Sequence, residues 1–162
     1  MRELPRSRRS ASPTRPRRPV QSSHPDATND AMTPAPPLRL DPAPLFDPSA
    51  VQHVDALGHA RHVPGQTQGT VLLQTDRVRQ LLLAVSAGLT LSRHRATCDV
   101  TVTVAAGDGA LTLDGADPIR LRPGVHLFLP AGTPHAVEAE ADLTLLATFA
   151  DPEPEIQFSD LA

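Results

Sequence analysis

Residues 124–135 read GVHLFLPAGTPH, from Gly124 to His135. The run His126-Leu127-Phe128-Leu129 has the length and apolar content of a short strand. Pro130, Gly132 and Pro134 then fall within five residues. Proline presets its own φ and offers no N–H, and glycine reaches conformations closed to other residues, so this is a rigid turn. His135 follows it directly, at the head of a second strand, AVEAE. A histidine leaving a rigid turn has its direction set by the backbone.

Working outward, the same texture recurs. GTVLLQ and RVRQLLLAV flank Thr75-Asp76, a plausible hairpin turn. LTLSRH and DVTVTVAA follow, then the turn Gly107-Asp108-Gly109. ALTL, Asp114-Gly115, IRL and Pro123-Gly124 lead into HLFL, and LTLLATF closes the series. This spacing predicts about nine short strands in an all-β sandwich or barrel, with no room for βαβ crossovers. In DVTVTVAA, Val100, Val102 and Val104 alternate with Thr101 and Thr103, so the three valines share one face.

The quoted stretch also resembles the second conserved motif of the cupins: Gly124, five residues, Pro130, Gly132, two residues, His135. The motif's last position, normally asparagine, is Ala139. The first cupin motif is half present. Gly88, His94 and Gly107 fit it, while its second histidine is Ala96 and its glutamate is Val100. The similarity covers roughly residues 69–150 and is greatest to small bacterial single-domain cupins. It implies an all-β fold with a single cupin-type (jelly-roll) β-barrel over residues 65–150. It also implies that His135 and His94 point into the barrel, where the family binds metal. In that register Val100 and Ala96 face inward as well.

The expected pocket therefore comprises His94, Ala96, Val100, Val102 and His135, with Val104 on the same face. Transition metals in such sites need three or four ligands with imidazole and carboxylate donors, and two histidines alone hold them weakly. A third ligand would have to come from Cys98 or His126, or from Asp99, whose side chain should point the opposite way. Two functions follow. One is binding of a small apolar or amphipathic molecule in the barrel mouth, with an incomplete metal site formed by His94 and His135. The other is a cupin-type oxygenase or isomerase that uses an unconventional third ligand and a divalent metal such as Fe, Mn, Zn or Ni. No G-x-S-x-G elbow or other nucleophile arrangement is present.

The remaining sequence frames this core. Residues 1–44 hold ten prolines and few large apolar groups, which predicts a disordered arm. Residues 1–18 contain seven arginines and one glutamate. They read as a solvated tail, as upstream sequence with Met32 as the natural start, or as an arm that touches nucleic acid or anionic lipid. The rest of the chain is acidic, with eight arginines and 17 acids, which argues against nucleic acid on the barrel. Residues 45–64 are expected to form a short helix and linker, since Asp47-Pro48 reads as a cap and first turn before Val51, Val54 and Leu57. His53, His59 and His62 are expected to be exposed there. Residues 151–162 read as a loose acidic tail. A single cysteine permits a reducing, cytoplasmic setting, and no apolar run is long enough to span a membrane. RVRQLLLAV has more apolar surface than one face of a sheet needs, which predicts a homodimer.

Overall fold

The computed structural model describes residues 38–159. Most of the expected arm, residues 1–37, and the last three residues of the expected tail lie outside that range. The elements run β1 Arg39–Asp41, α1 Ala56–His59, β2 Thr67–Gln74, β3 Arg79–Val85, β4 Thr90–Ala96 and β5 Val100–Ala106. They continue as β6 Gly109–Leu113, β7 Ile119–Leu121, β8 His126–Leu129, β9 His135–Ala139, β10 Leu143–Phe149 and β11 Ile156–Phe158. One sheet has the order β1-β2-β3-β10-β5-β8, and the other β11-β4-β9-β6-β7.

All nine expected strands form. Pairing runs within each sheet and does not link the two into a closed ring, so the architecture is a two-sheet jelly roll. Period-two alternation decides what lies between the sheets. β5 contributes Val100, Val102 and Val104, and β10 contributes Leu143, Leu145, Ala147 and Phe149. The second sheet meets them with Ala96, Leu111, Leu121, Val137 and Ala139. Each fully buried large aliphatic side chain contributes roughly 1.5–3 kcal/mol, and this shared layer is where the chain gathers that stabilisation.

Two strands were not expected. β1 forms inside the presumed arm and lies parallel to β2, and β11 forms inside the presumed tail and runs antiparallel to β4. Both are three residues long, RLD and IQF, too short to show a periodic pattern. They exist because a neighbouring edge offers them backbone partners.

The helix also differs from expectation. Only Ala56–His59 is helical. Asp47 does not cap a helix: its carboxylate accepts from the Ser49 N–H (2.9 Å) and hydroxyl (2.7 Å), which closes a local turn. Val51 is fully exposed and Leu57 half exposed. Their helical spacing finds no surface to pack on, and a short helix without packing does not propagate.

The segment before β2 is instead tied to the first sheet at several points. The N–H groups of Leu45 and Phe46 donate to the carbonyls of Val71 (3.0 Å) and Leu72 (2.8 Å). The Ser86 hydroxyl donates to the Val63 carbonyl (2.7 Å), and the His62 Nε2 lies 3.0 Å from the Thr144 hydroxyl. His62 is therefore half-buried, unlike exposed His53 and His59. The outward residues of β3, Leu82 and Ala84, are each 2% exposed within the single chain. Part of the apolar surplus of this strand is thus covered within the single chain.

Among the described residues no helix is long and apolar enough to cross a membrane.

Two turn glycines have different structural roles. Gly107 (φ +90°) links β5 to β6, and a Cβ there would stand 2.0 Å from the Asp142 carbonyl oxygen. Gly124 (φ +92°) follows Pro123 in the turn before β8, and a Cβ there would meet nothing within 4 Å. Gly124→Ala should cost only the left-handed backbone penalty, about 1–2 kcal/mol. Gly107→Ala adds a collision with backbone and should cost clearly more. Urea denaturation of the two variants checks this, and equal losses would contradict it.

Candidate functional site

His94 on β4 and His135 on β9 are directly opposed in the ladder. Their ring centroids lie 4.3 Å apart, tilted by 57°. A β-bulge brings this about. Leu91 pairs with Val137 and His94 with His135, so β4 uses one more residue than β9 over the same interval. The extra residue at Ser92-Arg93 lets both Leu91 and His94 face inward, where strict alternation would have separated them. Ala96, two residues on, shares that face.

His135 is aimed by the turn that precedes it. The Gly132 N–H (φ +77°) donates to the Ala96 carbonyl (2.8 Å), and the Thr133 N–H to the Pro130 carbonyl (3.1 Å). The Asp99 carboxylate accepts from the Ala131 N–H at 2.8 Å. Asp99 is thus occupied in holding the turn and does not reach the pair of histidines.

Both imidazoles are oriented by the same local bond. His94 Nδ1 lies 2.7 Å from the Ser92 carbonyl, and His135 Nδ1 lies 3.0 Å from the Thr133 carbonyl. A carbonyl only accepts, so each Nδ1 carries the proton and each Nε2 keeps a lone pair. Among the described residues neither Nε2 has a protein partner. Burial lowers both pKa values, as the largest cause in each case. At His94 the Ser92 carbonyl opposes the shift and neighbouring His135 adds to it. At His135 the Thr133 carbonyl opposes it and the Arg93 charge adds to it. Both rings are therefore mainly neutral at pH 7.

The rings form part of the wall of a cavity of about 50 Å³ between the sheets. His94, Ala96, Val100, Val102 and His135 all line it. Val104 lies on the same face of β5 but outside the cavity, in the packed core. Sequence reasoning missed Ile156, which lines the cavity from β11. On the same strand Phe158 sits opposite His94, with ring centroids 5.6 Å apart, and remains 58% exposed. Tail composition hides these residues, and the only local signal is one isoleucine and one phenylalanine spaced by two.

The other candidates do not join the pair. His126 faces out from β8, where its Nδ1 lies 2.7 Å from the Thr103 hydroxyl. Cys98 sits in the β4–β5 turn, half-buried and outside the cavity wall, and its thiol pKa is raised by burial first and by the Asp151 charge second. Among the described residues no group of three or more His, Cys, Asp or Glu side chains is placed to hold a metal ion.

Comparison with known proteins bears on the fold. No protein-family model matches the chain. No curated protein matches it either. Solved structures do. A protein with a double-stranded β-helix domain from Klebsiella pneumoniae superposes with a TM-score of 0.61 at 14% identity, over 68% of this chain and 99% of its own. A cupin superfamily protein from Desulfitobacterium hafniense gives 0.59 at 22% identity, over 67% of this chain and 99% of its own. A conserved protein of unknown function from Streptococcus pyogenes gives 0.57 at 22% identity, over 68% and 96%. The chain has the cupin fold.

The buried histidines carry a pH consequence. Below their ordinary value of 6.5, the unfolded chain takes up protons that the folded rings resist. Stability should therefore be complete above about pH 7 and should fall as pH drops through 6.5, until the lowered folded-state values are reached. Replacing both residues by phenylalanine should flatten the melting temperature between about pH 7.5 and 5.5. An unchanged slope in that double variant would show that other groups carry the dependence.

Proposed function

We propose that this protein binds a small, mainly apolar molecule in the cavity between its sheets, gripped by His94 and His135, without a resident metal. One observation carries this reading: among the described residues that line the cavity, these two are the only polar ones. An apolar enclosure with a few placed polar groups is the usual makeup of a small-molecule site.

The donor set does not fit a divalent ion. Two neutral imidazoles supply no charge, and stable transition-metal sites use three or four protein ligands. Buried Ala96 and Val100 occupy the positions where the cupin motif has its second histidine and its carboxylate. A carboxylate at Val100 would have to be desolvated in this layer, and only a cation would offset that cost.

One observation favours the second reading, a metal-dependent cupin enzyme. A histidine whose Nδ1–H is tied to a carbonyl is oriented as metal ligands commonly are. Such an enzyme would need a third ligand from outside the described residues.

Metal titration separates the two. In the preferred reading Zn, Mn, Fe and Ni ions raise the melting temperature little, because stabilisation by a ligand requires tight binding. The double variant Ala96→His, Val100→Glu should lose stability on the order of a few kcal/mol without metal and recover it with metal. Near-stoichiometric metal in the purified natural protein, lost on His94→Ala or His135→Ala, would overturn the proposal in favour of the enzyme.

A further inference from the structure

We infer that the molecule held by His94 and His135 presents a hydrogen-bond donor, a hydroxyl or N–H group, on a short apolar body. This rests on the small-molecule reading above and narrows it to a chemical class.

The tautomers decide the polarity of the site. Both Nδ1 protons are committed to main-chain carbonyls, of Ser92 and Thr133. Both Nε2 atoms are therefore acceptors, on rings whose centroids stand 4.3 Å apart. Among the described residues the side chains of the rest of the cavity wall are hydrocarbon and offer no donor. An ether, ketone or ester oxygen would enter and find nothing to bond, and it would forfeit its water. A hydroxyl finds one acceptor or two. A ring could offer a donor from Nε2 only by surrendering its bond to the carbonyl. A carboxylate would need one imidazole protonated, and burial resists that charge. Arg93, whose charge acts on His135, is already ion-paired with Asp114.

Size narrows the class further. An apolar cavity of about 150 Å³ accommodates benzene. The space here is about a third of that, roughly 50 Å³. It takes the polar head and a few carbons, so a longer body must extend beyond it.

The test uses isomers on the full chain. 1-Butanol and diethyl ether share one formula, and only the alcohol donates. Binding is followed through methyl resonances of Val100, Val102 and Ile156, and the tautomers through imidazole ¹⁵N shifts. The alcohol should bind about fivefold more tightly than the ether, as expected of one net hydrogen bond. Butyrate should bind more weakly than the alcohol at pH 7.5. The free protein should show unprotonated Nε2 on both rings, perturbed by 1-butanol. His94→Phe with His135→Phe keeps the rings and should abolish the alcohol preference. If that variant does not fold, the isomer comparison and the tautomers in the natural protein decide. Equal affinity for the two isomers, or a protonated Nε2, would overturn the donor inference and leave the small-molecule reading standing. Failure of both isomers to perturb the cavity, or stoichiometric metal on the histidines, would defeat both.

Discussion

Burial of one face of each sheet against the other is the constraint on which everything else depends. Neither sheet can be stable alone, because a strand layer with an exposed apolar face must be covered. β10 is central to this. It lies between β3 and β5, and its inward residues Leu143, Leu145, Ala147 and Phe149 are all nearly inaccessible. With an aliphatic layer on one side, the facing positions on β4, β9 and β6 must also be apolar or must satisfy their own polar atoms. The pair of histidines meets that second condition. Each ring places one nitrogen on a carbonyl two residues back, so its Nδ1 proton is not stranded in the core.

The two rings are brought together by different means. His135 is placed by a proline-rich turn tied to β4 through the Ala96 carbonyl and to Asp99 through the Ala131 N–H. His94 is placed by the bulge in β4. Without the bulge, strict alternation from Leu91 would turn His94 outward, since a slip of one reverses every side chain. The same register puts Ala96 and Val100 where ligands stand in the cupin motif. That difference in side chains, on the same backbone, is what the proposed function rests on.

The chain outside the strand series contributes more than its composition implies. Residues 45–63 bond to the β2 main chain through Leu45 and Phe46, to Ser86 after β3 through Val63, and to Thr144 on β10 through His62. His62 is drawn into this contact, with its Nδ1 buried and without a protein partner in the described residues. At the other end β11 extends the second sheet and completes the cavity wall with Ile156. Both segments add to existing edges and faces, and neither forms an element that could stand alone.

The sequence by itself determined the all-β class, nine of the strands, the turns between them and the inward alternation of β5. These are local properties, set by side-chain period and by glycine and proline chemistry over a few residues. It also singled out His94 and His135 and the apolar residues around them, because motif spacing carries register along a strand. Tertiary structure alone decided that Asp47 closes a turn and does not cap a helix, and that Leu82 and Ala84 are covered from within the chain. It alone placed β1 and β11, put Ile156 in the cavity wall and turned His126 out to Thr103. The reason is the same each time: three-residue strands and surface segments take their structure from a partner distant in sequence, and no local pattern records which partner the fold supplies.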